Sequence, residues 1–146
     1  MTLSKTTLFS TLTAVAISIL SIHSASADSI VRAEKLSPSA NRSYKVAGKR
    51  YTPMTKVSNF SQTGNASWYG SQFHGRKTSS GERYNMNALT AAHKTLPIPS
   101  YARVTNTKNG KSVIVRVNDR GPFHGNRVID VSKAAAQQLG FINQGT

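Results

Sequence analysis

The sequence predicts a small, mainly β domain, a closed barrel of short strands carrying one short helix near its C-terminal end. Three observations predict it. Two alternating apolar runs flank Asn109-Gly110 in YARVTNTKNGKSVIVRV, the pattern of a β-hairpin. The other apolar segments are only a few residues long and are bounded by Gly, Pro or polar clusters, which suits strands better than helices. Only SKAAAQQLG sets helix start and stop residues around a run of helix formers.

Taken in order, the chain opens with Lys5 and the apolar run Leu8 to Ile22, and Ala25-Ser26-Ala27 fits the small-residue cleavage rule. The run is short for a membrane span, so residues 1–27 are expected to be an export signal cleaved before Asp28. Residues 28–62 are polar, basic and turn-rich, as in SPSANRSYK, and are expected to be a poorly ordered linker. Within it, YKVAGKRYTPM alternates weakly and predicts one short strand with a glycine break. The domain proper is expected over 63–146. NASWYG reads as a short strand holding the only tryptophan, Trp68. SQFHGRKTSSGERYN reads as a long surface loop, and ALTAAH as a short apolar segment. The two prolines of KTLPIPS exclude helix there. In the hairpin, Asn109 and Gly110 supply the tight turn; Val113, Val115 and Val117 share one face, Ile114 and Arg116 the other. NRVIDVS is a further strand. Ser132 is placed to cap the helix and Gly140 to end it.

The chain has no cysteine, which excludes disulfides, thiolate catalysis and lipid attachment through an N-terminal cysteine. Its net charge of +14 draws it to polyanions. With export expected, a cell-wall polymer or an anionic membrane surface is favoured over nucleic acid. Among only five acidic residues, Asp119 stands in VRVNDRGPF at the end of an apolar strand, between Arg116 and Arg120. A rigid strand end can hold a carboxyl group toward a groove for proton transfer. The alternative is a turn carboxylate that caps local amides. By themselves, Glu82 reads as a solvated loop charge and His93 as a packed or surface histidine. Asp130, just before the helix, reads as structural or dipole-compensating. His74, His93 and His124 match no usual ligand spacing, so no metal and no cofactor is expected.

Four blocks in one order, GNASWYG, FHGRKTSSGERYN, ALTAAHKTLPIPSYARVTNTKNGKSVIVRVNDRGPF and RVIDVSKAAAQQLG, closely resemble the rare lipoprotein A family of septal-ring lytic transglycosylase-like proteins. The resemblance covers nearly all of Gly64 to Phe141. It implies a six-stranded double-psi β-barrel. It also implies cleavage of peptidoglycan glycan strands without water, leaving 1,6-anhydro ends on N-acetylmuramic acid, in some members preferentially on glycan stripped of its peptides. Not every member has shown activity.

The resemblance further implies Asp119, Glu82 and His93 as the catalytic residues. Asp119 would act first as acid, then as base toward the sugar's own 6-hydroxyl. Its pKa would be raised by burial or by a neighbouring carboxylate. Glu82 is expected to supply that neighbour if its loop folds over the barrel, or to bond a sugar hydroxyl. His93 is expected to position a carboxylate or the substrate. Arg116, at odd spacing from Asp119, is expected to point away. Arg120 is expected to meet a substrate carboxylate such as the lactyl group of peptide-free muramic acid. Trp68, Tyr69 and Phe73 are expected to stack on sugar rings or fill the barrel. The implied partner is peptidoglycan glycan in the periplasm of a Gram-negative bacterium; no specific nucleic acid is expected, and, with no cysteine in the sequence, no membrane anchor. In such an envelope the N-x-S triplets at Asn41, Asn59 and Asn65 are chance occurrences.

Two other function classes fit the same residues. One is a non-catalytic, expansin-like barrel that grips polysaccharide, the other a basic polyanion-binding scaffold. Many relatives carry a lipid-bearing cysteine and a C-terminal peptidoglycan-binding repeat domain, and neither is seen in this sequence. The family barrel usually continues past LGF into a closing strand. If that strand is missing an edge is left unpaired, and the alternatives are that YKVAGKRY covers it or that the sequence is a truncated product.

Overall fold

The structure, a computed structural model, describes residues 27–145. The expected export signal therefore lies outside the described residues, apart from Ala27. Seven strands and one helix follow: β1 (Tyr44–Val46), β2 (Lys49–Tyr51), β3 (Asn65–Tyr69), β4 (Thr90–Ala92), β5 (Ser100–Thr105), β6 (Ser112–Asp119), β7 (Arg127–Ser132) and α1 (Lys133–Leu139). The main sheet runs β3-β7-β4-β6-β5. β3 lies parallel to β7 and β4 parallel to β6, while β4–β7 and β5–β6 are antiparallel.

The β5–β6 pair is the expected hairpin, and its alternation is obeyed. Val113, Val115 and Val117 are fully buried; Val113 and Val115 pack in the main core with Val131, Ala135 and Leu139, and Val117 in a second, smaller one. The connection is longer than a two-residue turn. Asn106 N–H donates to Lys111 O at 2.8 Å and Gly110 N–H to Asn106 O at 2.8 Å; Gly110 takes the positive φ of 76°. Asn109 is spent otherwise: with Asn106 it donates a side-chain N–H to Leu139 O, both at 2.9 Å, satisfying a carbonyl at the helix end. The helix is capped as expected. Ser132 Oγ accepts from Ala135 N–H at 3.2 Å, and Gly140 closes the helix in the left-handed conformation.

The register between β4 and β6 slips near the end of β6: Ala91 faces Val117 and Ala92 faces Asp119. Asn118 is the extra residue of a β-bulge. Val117 and Asn118 are consequently both buried, and Asp119 is re-aimed at the strand end.

Beyond α1, Phe141–Gly145 form turns rather than a strand, so the main ladder has five strands among the described residues, with β3 and β5 at its edges. The Tyr44–Tyr51 segment does not cover either edge. It contains two strands rather than one, turning through Ala47 and Gly48 at φ 48° and 80°, and these pair only with each other. Both positive φ angles match the turn that suits right-twisted strands.

Residues 28–62 are also not the loose linker the composition predicts. Ser29 N–H donates to Ile114 O at 3.0 Å, Ser37 N–H to Ile98 O at 2.9 Å and Met54 N–H to Thr95 O at 2.8 Å. Asn41 brackets Ile98, donating to its carbonyl and accepting from its N–H. Ala40 is buried with Leu96, Ile98 and Val117 in a second small core. Composition reads such a segment as disordered because its own apolar content is low; here the barrel supplies the hydrogen-bond partners.

Candidate active site

The loop after β3 folds back on itself. Tyr84 N–H donates to Arg76 O, Thr78 N–H to Glu82 O and Gly81 N–H to Thr78 O, all within 2.9 Å, and Gly81 takes φ 86° to make the turn. Tyr84 anchors the base: it is buried, stacks on Tyr69 at 4.1 Å between ring centres, and donates its hydroxyl to Tyr69 O. The loop tip then lies on the end of β6.

Asp119 receives that tip. Its Oδ1 accepts from Ser79 N–H at 2.9 Å, from Ser79 Oγ–H at 2.8 Å and from Arg120 N–H at 2.8 Å. Among the described residues, its Oδ2 has no hydrogen-bond partner.

Glu82 descends the other arm of the same loop and meets Arg116 and Asn118. Its Oε2 accepts from Arg116 Nη1 at 2.7 Å and from Asn118 Nδ2 at 3.3 Å. The Arg116 hydrogen bond holds the Glu82 carboxyl below its ordinary range, so it stays ionised near neutral pH. The loop does fold over the barrel, but it delivers Glu82 to a cation. Arg116 does point away from Asp119, and its purpose there is to face carboxylates.

His93 touches neither carboxyl group. Its ring is buried and caps the following turn: Nδ1 accepts from Thr95 N–H at 3.1 Å and from Leu96 N–H at 3.0 Å. With Nδ1 an acceptor, the proton sits on Nε2, which donates to Gln62 Oε1 at 2.8 Å. Burial, followed by the charges of Arg120 and Lys94, lowers its pKa to about 4. Its link to Asp119 is through the main chain, His93 N–H donating to Asp119 O at 3.0 Å.

Arg120 does not offer its guanidinium to a ligand as expected. All five N–H groups are committed: two to Ala40 O, one each to His93 O, Leu96 O and Asn41 Oδ1. It is a clamp between the 28–62 segment and the turn after β4. The three aromatics separate as well. Trp68 packs on the core, Tyr69 is held under Tyr84, and only Phe73 is exposed. Asp130 is structural, accepting from Ser67 Oγ–H and lying 3.5 Å from Arg127 Nη1.

Two hollows flank the Ser79–Glu82 loop. One, of about 390 Å³, is lined by Glu82, Asn118, Arg116, Tyr101 and residues of the N-terminal segment, Glu34 among them. The other, of about 370 Å³, is lined by Ser79, Arg120, Phe123, Tyr44 and Arg42. Both are open to solvent, shallow hollows rather than enclosed cavities. The structure thus adds Ser79, Asn118, Arg116 and Glu34 to the residues that the sequence pointed to. Ser79 and Ser80 stood in the quoted TSSGE motif; Glu34 carried no signal because its segment read as linker.

A family model described as lytic transglycolase, on the double-psi β-barrel, matches residues 61–146. Proteins named endolytic peptidoglycan transglycosylase RlpA are similar over the chain. One from Neisseria meningitidis serogroup A is 77% identical over the whole chain, which spans 60% of that protein's length. One from Vibrio cholerae is 56% identical over 77% of the chain and 43% of its own length. One from Pseudomonas aeruginosa is 60% identical over 70% of the chain and 30% of its own length. Fold, motif order and family match agree: the chain belongs to the RlpA-like lytic transglycosylase family of double-psi β-barrel proteins.

Proposed function

We propose that this chain is a lytic transglycosylase that cleaves the glycan strands of peptidoglycan within the strand, leaving 1,6-anhydro-N-acetylmuramic acid ends. The observation that carries the reading is the arrangement of Asp119. Three donors converge on Oδ1, so a proton carried by this group sits on Oδ2, the oxygen left for a ligand. From there it is delivered to the glycosidic oxygen. The resulting carboxylate then takes the proton of the muramic acid 6-hydroxyl as that oxygen attacks the anomeric carbon. One group serves as acid and then as base, and no water enters the product.

Glu82, kept ionised by Arg116 and Asn118, is suited to accept a hydrogen bond from a sugar hydroxyl. A carboxylate near the reacting ring also favours positive charge developing at the anomeric carbon. His93 is a positioning residue: its ring organises the 93–96 turn and its main-chain N–H fixes the end of β6. Phe73, 40% exposed, is the one of the three expected aromatics available for stacking on a sugar. The hollows on either side of the loop suit a polymer that continues past the site in both directions, as an internal cut requires. The export signal expected at residues 1–27 supports a periplasmic site of action, where the glycan is.

The test is to incubate the purified protein with sacculi and with sacculi stripped of stem peptides. Mass spectrometry of the soluble products should show anhydro ends that rise with time. Binding to sacculi without products would favour the polysaccharide-gripping barrel instead. Equal, salt-sensitive binding to any polyanion would favour the basic scaffold.

A further inference from the structure

Arg116 holds two carboxylates at once. Besides Glu82 on Nη1, it grips Glu34 in a two-pronged contact, Nε to Oε2 at 2.8 Å and Nη2 to Oε1 at 2.9 Å. Tyr101 adds a third donor to the same carboxylate, its hydroxyl lying 2.6 Å from Glu34 Oε2. Arg116 and Tyr101 come from the adjacent strands β6 and β5, where Tyr101 and Arg116 are register partners. The barrel therefore presents a preformed fork and hydroxyl, the donor set that recognises one planar carboxylate.

Its occupant comes from outside the barrel. Glu34 lies on the stretch between Ser29 and Ser37, the backbone tethers to Ile114 and Ile98. The hollow that contains Glu82 and Asn118 is lined on one side by this stretch, through Ser29, Ile30, Arg32 and Glu34. The pair keeps partial access to water, the side chains of Arg116 and Glu34 being 22% and 29% exposed. Its two-pronged geometry and the Tyr101 hydroxyl push the pKa of the Glu34 carboxyl down to about 2, so Glu34 is a charged competitor that an incoming carboxylate has to replace at the same donors. A glycan strand lying against Glu82 brings such a group, since each muramic acid residue carries a lactyl carboxylate or, when substituted, a peptide with its own.

We propose that Arg116 and Tyr101 form a carboxylate-binding subsite beside Glu82, occupied in the free protein by Glu34 and in the complex by a carboxylate of the muramic acid unit. The inference deepens the proposed function and rests on it for the identity of the glycan. Glu34 acts as an internal competitor, and the N-terminal stretch as a strap over that subsite. A lactyl carboxylate is free only where the peptide has been removed, so the subsite would read the state of substitution of the glycan.

The experiment measures binding of three soluble probes to the secreted protein with and without Glu34→Gln: N-acetylmuramic acid, its methyl ester, and muramyl dipeptide. Removal of the competing charge should tighten N-acetylmuramic acid about tenfold and leave the ester unchanged. Tyr101→Phe in the Glu34→Gln background should reverse part of that gain. A gain for muramyl dipeptide alone would keep the subsite and assign it to a stem-peptide carboxylate. No gain for either acid, or an equal gain for the ester, overturns the proposal. Because the probes report binding and not turnover, a tightened acid alongside absent anhydro products would leave the subsite standing and remove the enzymatic reading.

Discussion

Asp119 presents its two oxygens to different surroundings, and that asymmetry is the basis for its assignment as acid and base. Three donors orient Oδ1, two of them from Ser79 on a loop anchored forty residues away in sequence. The carboxylate was legible in NDRGPF, but its Ser79 partner was not, since only the folded loop brings TSSGE to the strand end. Glu82 and His93 show the same limit. The motif pointed to both residues, yet the ion pair that fixes Glu82 and the turn that absorbs the His93 ring depend on contacts far apart in the chain. For His93 the consequence is measurable. Its folded-state pKa, about 4, lies below the ordinary value of 6.5. The unfolded chain therefore binds the extra proton first, and folding stability falls as pH drops from about 6.5 toward 4. Thermal melts should lose roughly 5–10 °C across that window. A His93→Gln variant should be less stable at pH 8 and should lose that part of the slope. An unchanged slope in the variant would place the titration elsewhere.

The elements that packing alone decides were readable, and those that depend on distant polar partners were not. The valines of β6 and the Ser132-to-Gly140 helix followed from alternation and capping residues, because each signal is local. The β1–β2 hairpin did not, because its strands are short and its turn includes Ala47 at a positive φ that no sequence rule favours. The docking of residues 28–62 escaped notice because it rests mostly on polar partners, main-chain bonds and the contacts of Asn41 and Arg120 to carbonyls, with only Ala40 and Met54 joining an apolar cluster. Two substitutions test these elements. At Gly140, φ is 77° and an added Cβ would lie 2.9 Å from Asn109 Nδ2, which itself holds Leu139 O. Gly140→Ala should cost about 1–2 kcal/mol in urea unfolding. Arg120→Lys should cost about 2–3 kcal/mol, since an ammonium has three donors where five are in use. It should also expose residues 28–62 to proteolysis before the barrel melts; cleavage at the wild-type rate would show that the clamp is dispensable.

Across the whole molecule, charge is distributed for a purpose. All five acidic residues are engaged: Asp28 accepts from Ile114 N–H, Glu34 and Glu82 share Arg116, Asp119 holds the loop tip, and Asp130 pairs with Ser67 and Arg127. What remains for solvent is overwhelmingly basic, at a net charge of +14, a surface that favours approach to an anionic wall polymer. The barrel supplies the rigid strand end, the loop supplies the second carboxylate, and the N-terminal stretch lies along one flank of the resulting site. The most direct measurement of this account is the yield of 1,6-anhydro ends from peptide-stripped sacculi by wild-type protein and by Asp119→Asn. The amide keeps an oxygen for the three donors on Oδ1 but cannot carry and return the proton. The account predicts a loss of at least about a thousandfold in product, with melting temperature and sacculus binding preserved. Anhydro ends released by the variant at near the wild-type rate would contradict it.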